Sequence, residues 1–204
     1  MKSLTVITWA VATWVAGSFP FAVWLGRILF SVDVRSVGDG NPGTANAFKA
    51  GGWRAGAPAL VLEVGKAGVP VGVAKLTLGL SLWALVPVAV APLVGHAFSP
   101  FLRLKGGKAI AATFGSWAGL TGYLGPLALA LSMGVLYALQ VLDAWTVVGG
   151  MLLFGVFLLV TGAPLALLAV WAFNLGLLTY THRAQFSLTF SPRAWLQPRG
   201  RRAR

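Results

Sequence analysis

Long apolar runs separated by short polar segments make up almost the whole chain. The first run extends from Leu4 to Phe30, and its only charged residue, Arg27, lies near its end. Because a membrane-spanning helix needs about 20 apolar residues, this run predicts a first transmembrane helix. It is too long for the apolar core of a signal peptide, and the chain stays apolar after it, so we interpret it as a retained helix. The polar, glycine-rich residues 31–54 follow and predict a loop in water.

The second apolar segment, from about Gly56 to Leu78, contains two charged residues. Glu63 and Lys66 are spaced so that both lie on one face of a helix. A charge at the bilayer centre costs about 2.5–3.5 kcal/mol, so this face is expected to meet protein or a water-filled site. A self-compensating ion pair is the alternative to a functional role.

The remaining apolar sequence predicts five more helices. A third span is expected over about residues 80–94. Between Ile110 and Tyr180 the sole charged residue is Asp143, and breaks near 121–126, at Asp143 and near 162–164 divide this stretch into four helices. The pattern therefore predicts an all-α integral membrane protein with about seven transmembrane helices.

Composition agrees with one membrane domain over residues 1–204. Of the 204 residues, 57% are hydrophobic and 10% are charged, whereas about 25% are charged in soluble domains. The absence of cysteine excludes disulfides, thiolate metal sites and a thioester-forming nucleophile. Two histidines and four acids suggest no metal set, and no cofactor is expected.

The net charge of +12 is concentrated in a basic tail, residues 183–204. Six of the sixteen basic residues follow His182, namely Arg183, Arg193, Arg199, Arg201, Arg202 and Arg204. Such a tail suits an anionic lipid surface, at about 1 kcal/mol for each basic residue close to the membrane. No other feature resembles a nucleic-acid-binding module, so nucleic acid is not an expected partner.

The distribution of basic residues predicts the orientation. With the N-terminus outside, residues 31–54, residues 102–108 and the tail lie on one side, and the opposite loops carry only Lys2 and Lys75. Basic loops favour the cytoplasm. We therefore expect a cytoplasmic C-terminus and a bacterial inner-membrane location.

Three clusters of candidate site residues lie on this predicted cytoplasmic side. The first, in residues 37–46, combines glycines with asparagines that offer amide donors; its spacing is neither a Walker A nor a Rossmann fingerprint, and a plain turn is equally compatible. The second cluster surrounds a glycine pair, and the third lies at the end of the last apolar run. The first cluster consists of Gly38, Gly40, Asn41, Gly43 and Asn46. The second consists of His96, Arg103, Lys105, Gly106, Gly107 and Lys108, and the third of His182 and Arg183.

Cationic and amide donors with few carboxylates suit a phosphate-bearing ligand. Glycines let the backbone approach an anion closely, and successive N–H groups in such a turn can converge on it. Each residue alone has a simpler explanation: a basic residue required by the orientation, a packed histidine, or a pair that reaches to the membrane surface. The coincidence of the three clusters on one face favours a site.

Five segments follow one another along the chain: Gly17–Phe21, Asp33–Asn46, Leu62–Lys66, Val94–Lys108 and His182–Arg183. In this order they resemble the bacterial acyl-phosphate:glycerol-3-phosphate acyltransferase family, small integral membrane enzymes of phospholipid synthesis. The resemblance implies seven helices and transfer of an acyl group from acyl phosphate to the 1-hydroxyl of glycerol 3-phosphate, giving lysophosphatidate and phosphate. It also implies a site without a protein nucleophile, in which a substrate phosphate assists deprotonation of the hydroxyl.

The same resemblance implies roles for individual residues. The predicted catalytic residues are Asn41, Lys108 and His182. The predicted substrate-binding residues are Asp39, Gly40, Gly43, Asn46, Lys49, Lys66, His96, Lys105, Gly106, Gly107 and Arg183. The expected partners are acyl phosphate, glycerol 3-phosphate and membrane lipids, and a monomer is favoured.

The chain also departs from the family pattern. Asp39 stands where the family usually has serine, and Lys49 where it usually has arginine, so a point charge replaces a bidentate fork. In the third motif, Ala184 and Gln185 replace the usual Glu-Asn. These exchanges leave open a non-catalytic relative that binds a lipid or phosphometabolite, or an enzyme with another acceptor. A small transporter is a third hypothesis, without a visible internal repeat.

Overall fold

The computed structural model of the chain describes residues 2–187 and 190–196, and this part is helical, without a β-strand. The predicted all-α class is confirmed. Its α-helices are α1 (Lys2–Ser18), α2 (Phe21–Phe30), α3 (Thr44–Thr77), α4 (Leu82–Ala97), α5 (Ile110–Thr121), α6 (Leu124–Leu139), α7 (Asp143–Val160) and α8 (Leu165–Thr181).

Internal contacts divide the chain into two compact units, one up to Pro126 and one from Leu127 onward. The first unit contains α1 to α5, and the second contains most of α6 together with α7 and α8. The single membrane domain over residues 1–204 stays a prediction. Four arginines of the predicted tail, Arg199, Arg201, Arg202 and Arg204, lie outside the described residues.

Several of the apolar runs of the sequence form helices of membrane-spanning length and composition. Four stretches are long and apolar enough to cross a membrane: Ser3–Phe30, Thr44–Thr77, Leu82–Leu102 and Asp143–Val160. Helices α6 and α8 are shorter and apolar. Four helices divide residues 110–181, as the sequence predicted, and their breaks fall at the expected turns.

Two boundaries differ from the sequence prediction. The first apolar run is broken at Phe19 and Pro20, because proline lacks the backbone N–H that a continuous helix needs. The predicted water-facing loop over residues 31–54 is wrong from Thr44 onward, where α3 begins. This first part of α3 buries Ala47, and it ends in a kink at Gly51 and Gly52, where φ reaches 60° at the second glycine.

Close helix crossings hold the first unit together. Helix α1 packs on α4, and α3 packs on α5. At the first crossing, the backbone of Pro92 occupies the space that a side chain on Gly17 would need, and small residues of this kind let membrane helices approach closely. The Ser99 hydroxyl donates to the carbonyl of Ser18 at 2.6 Å. The crossing thereby fixes the end of α1 beside the segment that follows α4.

In the second unit, α7 packs on α8 and a C-terminal segment returns to the end of α6. The indole N–H of Trp171 donates to the carbonyl of Met151 at 2.7 Å. The backbone N–H of Arg193 donates to the carbonyl of Leu139 at 3.0 Å, and the Arg193 guanidinium lies 4.3 Å from the ring centre of Tyr137. The hydrogen bond from Arg193 satisfies a carbonyl group at the end of α6, where the last carbonyls of a helix have no partner within it.

Candidate active site

The loop between α2 and α3 is fixed at its start by Asp33. This carboxylate lies 2.6 Å from the Arg35 guanidinium and 2.8 Å from that of Arg27, and it accepts the backbone N–H of Arg35 at 3.0 Å. The hydrogen bond from the Arg35 side chain is the largest of the effects that hold the pKa of Asp33 well below its usual range. Asp33 is therefore a structural acid, neutralised by its own arginines.

Asp39 and Asn46 fold the rest of this loop onto the first turn of α3. The Asn46 amide nitrogen donates to the Asp39 carboxylate at 3.0 Å and to the carbonyl of Asn41 at 2.9 Å. The backbone N–H of Asn41 donates to the same carboxylate at 3.2 Å. Gly38 and Gly40 have positive φ, of 61° and 74°, which glycine adopts without strain. The chain can therefore turn sharply on both sides of Asp39.

Asn46 is buried and carries an acceptor without a partner. Its side-chain oxygen receives no hydrogen bond from the residues that the structure describes. A side chain on Gly38 would meet this oxygen and the Lys49 ammonium, so both polar groups lie beside the glycine. A buried acceptor of this kind favours a donor from a ligand, such as a hydroxyl group.

Lys108 connects this loop with the glycine-rich segment that follows α4. Its ammonium lies 2.7 Å from the Asp39 carboxylate, across 69 positions of sequence, and its side chain is 16% exposed. Partial burial acts to raise the pKa of Asp39, but hydrogen bonds from Lys108, the Asn41 N–H and Asn46 together lower it. The result is an ionised carboxylate held by three donors.

The backbone of the glycine pair is tied to the end of α4. The N–H of Gly106 donates to the carbonyl of Ala97 and that of Gly107 donates to the carbonyl of His96, each at 3.1 Å. A side chain on Gly107 would collide with the His96 imidazole, and one on Gly106 would collide with the His96 carbonyl. The two glycines are thus required by close approach. Their neighbour Lys105 is exposed.

Beneath this segment lies a buried charge cluster formed by Glu63, Lys66 and His96. The Glu63 carboxylate lies 2.5 Å from the Lys66 ammonium and 3.1 Å from Nδ1 of His96. Its other oxygen accepts the backbone N–H of Ala22 at 3.1 Å, and Lys66 donates to the carbonyl of Phe19 at 2.7 Å. The expectation that Glu63 and Lys66 face protein is confirmed, and the two form an ion pair.

His96 is the member of this cluster that the sequence did not connect with Glu63. Lys66 and His96 both point at the Glu63 carboxylate, so they join α3, α4 and the break between α1 and α2. Their predicted contact with substrate stays a prediction. The buried position of the histidine had no local signal, because its partner lies 33 positions earlier in the chain.

The third predicted cluster lies in the second unit, at the end of α8. His182 is buried, with Nδ1 at 2.8 Å from the carbonyl of Leu178; a carbonyl only accepts, so Nδ1 carries the proton. The Arg183 guanidinium lies 4.0 Å from the ring centre of Tyr180. Gln185 accepts the backbone N–H of Ala144 at 3.1 Å and so ties this turn to the start of α7.

The residues of the first unit are better suited to an anion than to a metal ion. Among residues 2–187 and 190–196, no group of three or more His, Asp or Glu side chains is placed to hold a metal. Asp39 accepts hydrogen bonds from a lysine ammonium, a side-chain amide and a backbone N–H. Phosphate oxygens accept hydrogen bonds from the same kinds of donor.

A family model described as glycerol-3-phosphate acyltransferase matches residues 7–191 of the chain. The chain belongs to this family. A glycerol-3-phosphate acyltransferase of Thermus thermophilus is 35% identical over 184 residues, which cover 88% of this chain and 89% of that protein. The expected family is thus confirmed.

Other members of the family are more similar over shorter segments. A Thermotoga maritima relative is 44% identical over 100 residues, and an Anaeromyxobacter dehalogenans (strain 2CP-1) relative is 45% identical over 124 residues. These alignments cover 48% and 56% of this chain, and they span about half of the first relative (49%) and three fifths of the second (61%).

The fold matches a solved member of the family. The crystal structure of PlsY (YgiH), an integral membrane glycerol 3-phosphate acyltransferase, in its glycerol 3-phosphate form has a TM-score of 0.79 at 24% identity and covers 90% of both chains. Its lysophosphatidic acid form gives the same TM-score at 23% identity. The chain therefore has the fold of a multi-pass integral membrane protein.

Proposed function

We propose that this chain transfers an acyl group from acyl phosphate to the 1-hydroxyl of glycerol 3-phosphate, giving lysophosphatidate and phosphate. One observation carries the proposal: in a member of this family, Lys108, Asn46 and the backbone of Asn41 converge on one anion, the carboxylate of Asp39. The same donors can hold a phosphate group. The proposed enzyme acts as a monomer in the bacterial inner membrane.

In the proposed reaction the hydroxyl oxygen of glycerol 3-phosphate attacks the acyl carbon. The bond between that carbon and the bridging oxygen of acyl phosphate breaks, phosphate leaves with the electron pair, and the hydroxyl proton passes to a substrate phosphate. The chain has no cysteine and needs no protein nucleophile for this route. Catalysis then depends on positioning and on stabilisation of negative charge.

The residues of the first unit divide this work. Lys108 supplies positive charge to phosphate and to the oxyanion that forms at the acyl carbon. Asn41 and Asn46 orient the acceptor, and the unpartnered oxygen of Asn46 accepts a glycerol hydroxyl. Gly40 and Gly43 let the loop approach the substrate, while Lys49 and Lys105 add positive charge around it. Lys66, His96, Gly106 and Gly107 hold the segment that carries Lys108.

In the second unit, His182 and Arg183 keep the roles that the family resemblance assigns to them. His182 is proposed as a catalytic residue with its Nδ1 proton held by the carbonyl of Leu178, and Arg183 as a phosphate-binding residue. The basic tail, of which Arg193 and Trp195 are anchored on the carbonyls of α6, is proposed to contact anionic lipid.

The test of the proposed function is phosphate release from palmitoyl phosphate by the purified protein, measured with and without glycerol 3-phosphate. Acceptor-dependent release with lysophosphatidate appearing in equal amount supports the proposal. A second candidate function is that of a non-catalytic relative that binds a phosphometabolite. The ion pair between Lys108 and Asp39 favours this candidate, because it engages the lysine that would act on the substrate. No release from a correctly folded preparation, together with binding of glycerol 3-phosphate, would favour this second candidate.

We also propose that the loop after α2, the glycine-rich segment after α4 and the end of α8 face the cytoplasm. The chain has no cysteine, so single cysteines report orientation directly. In intact cells, a membrane-impermeant maleimide is expected to label Thr77→Cys and to label Ser36→Cys only after lysis; both positions are exposed. Labelling of Ser36→Cys in intact cells would contradict the proposed orientation.

A further inference from the structure

Asp39 occupies the position at which this site would bind an anionic ligand. Its two carboxylate oxygens lie 2.7 Å from the Lys108 ammonium and 3.0 Å from the Asn46 amide nitrogen, and one accepts the N–H of Asn41. We propose that this carboxylate is an internal competitor of the substrate phosphate, which binds by displacing Asp39 from Lys108 and Asn46. The inference rests on the proposed function and names the residue that sets phosphate affinity.

The contacts of Asp39 are suited to exchange with a ligand. All three partners are donors, and a phosphate oxygen accepts from each of them as a carboxylate oxygen does. The Asp39 side chain is 38% exposed, so it can leave its partners for water without losing a buried position. Gly38 and Gly40, with their positive φ, flank it and allow the loop to readjust.

Asp39 differs in this respect from the other acids of the first unit. The sequence has four acids, and the first unit contains three of them. Asp33 and Glu63 have cationic or imidazole partners other than Lys108. Asp33 is neutralised by two arginines of its loop, and Glu63 is buried with Lys66 and His96. Asp39 is the acid that contacts Lys108, the residue proposed to bind the substrate phosphate.

The balance of charge explains why a phosphate can replace the carboxylate. A phosphate monoester carries a charge of about −1.5 to −2 at pH 7, against −1 for a carboxylate. Substrate therefore gains more from the Lys108 ammonium than Asp39 does. The apparent affinity is still reduced, because only the fraction of molecules with Asp39 displaced can bind. Removing the carboxylate should raise affinity for phosphate and glycerol 3-phosphate alike.

The experiment compares wild type with Asp39→Asn and Asp39→Glu as purified full-length chains. Isothermal titration measures the Kd of inorganic phosphate, and the transfer assay measures KM for glycerol 3-phosphate and kcat. For Asp39→Asn, both Kd and KM are expected to fall about five- to tenfold, or about 1–1.4 kcal/mol at 1.4 kcal/mol per factor of ten. The kcat is expected to change less than about threefold, since Lys108 stays in place.

Two variants separate this role from a general effect of charge or folding. Asp39→Glu keeps the competing anion and is expected to retain a Kd and KM close to those of wild type. Asp143→Asn changes the net charge by the same amount at an exposed position at the start of α7 and is expected to leave both constants unchanged.

Two outcomes would overturn the inference, and a third would overturn only the proposed reaction. A large fall in kcat for Asp39→Asn with an unchanged KM would identify Asp39 as a base that acts on the hydroxyl. Unchanged Kd and KM would show that the carboxylate does not compete with phosphate. If neither wild type nor Asp39→Asn releases phosphate, but Asp39→Asn binds phosphate more tightly, the proposed reaction is wrong. The inference that Asp39 competes with phosphate is then still supported.

Discussion

Replacing Lys108 by alanine is expected to reduce acyl transfer about 100- to 1,000-fold, the loss typical of removing one group that stabilises developing negative charge. The Lys108 ammonium is the cation at which the loop after α2 and the segment after α4 meet, 2.7 Å from the Asp39 carboxylate. No other group on the Asp39 carboxylate carries a formal positive charge among the described contacts. The measurement is acceptor-dependent phosphate release at equal concentrations of folded protein.

Three comparisons make this result specific. Arg54→Ala removes a positive charge from an exposed position of α3 and is expected to change the rate less than about threefold, as surface substitutions usually have small effects. Lys108→Arg keeps the charge but not its compact shape, so an intermediate rate is expected. Lys108→Ala should enter the membrane and unfold at nearly the wild-type temperature. Full activity in that variant would refute the assignment of Lys108.

Replacing Glu63 by alanine is expected to lower the free energy of unfolding by about 3–5 kcal/mol, the cost of leaving a buried charge without its partner. Glu63 contacts Lys66 and His96 through one carboxylate oxygen and the N–H of Ala22 through the other. Its loss leaves the Lys66 ammonium buried, with the Phe19 carbonyl as its one remaining hydrogen-bond partner among the residues that the structure describes. Thermal unfolding in detergent, followed by tryptophan fluorescence, measures the effect.

A double-mutant cycle tests whether the charges act as a pair. Lys66→Met alone leaves the Glu63 carboxylate beside His96 and should also destabilise the protein. Glu63→Leu is made alone and in combination with Lys66→Met. The double variant removes both charges and is expected to be more stable than either of these single variants, because no unpaired charge remains. Independent, additive effects of the two substitutions would contradict the pairing. Asp143→Asn, an exposed acid, serves as the control and should have little effect.

The buried Glu63 cluster and Lys108 differ in what they support. The Glu63 cluster joins α3 and α4 to the break between α1 and α2, and the backbone of Gly107 lies against its histidine. Loss of this cluster should therefore change stability and activity together. Loss of Lys108 should change activity alone, because its ammonium pairs with the 38% exposed side chain of Asp39, and partly exposed ion pairs contribute little to stability.

Local sequence was sufficient for the helices between residues 110 and 181 and for one buried pair. Four helices between residues 110 and 181 follow from an apolar run divided by turn-forming residues. Glu63 and Lys66 pair because their spacing places both on one face of a helix. In a membrane helix this charged face must be buried in protein, since otherwise it would meet lipid. The start of α3 at Thr44 was missed, since glycine, asparagine and charged residues around it resemble a loop and the burial of Ala47 has no local signal.

The order of the motifs identified the family, and so the residues on which a site could be built, but their contacts were not readable from the sequence. Asp39 and Lys108 are 69 positions apart, and Glu63 and His96 belong to different helices. The packing of α3 on α4 brings Glu63 to His96, and the packing of α3 on α5 brings together the segments before these two helices, which carry Asp39 and Lys108. Apolar periodicity and motif order are local properties that one chain displays directly. Which distant polar groups meet depends on how the helices cross, and only the tertiary structure decides that.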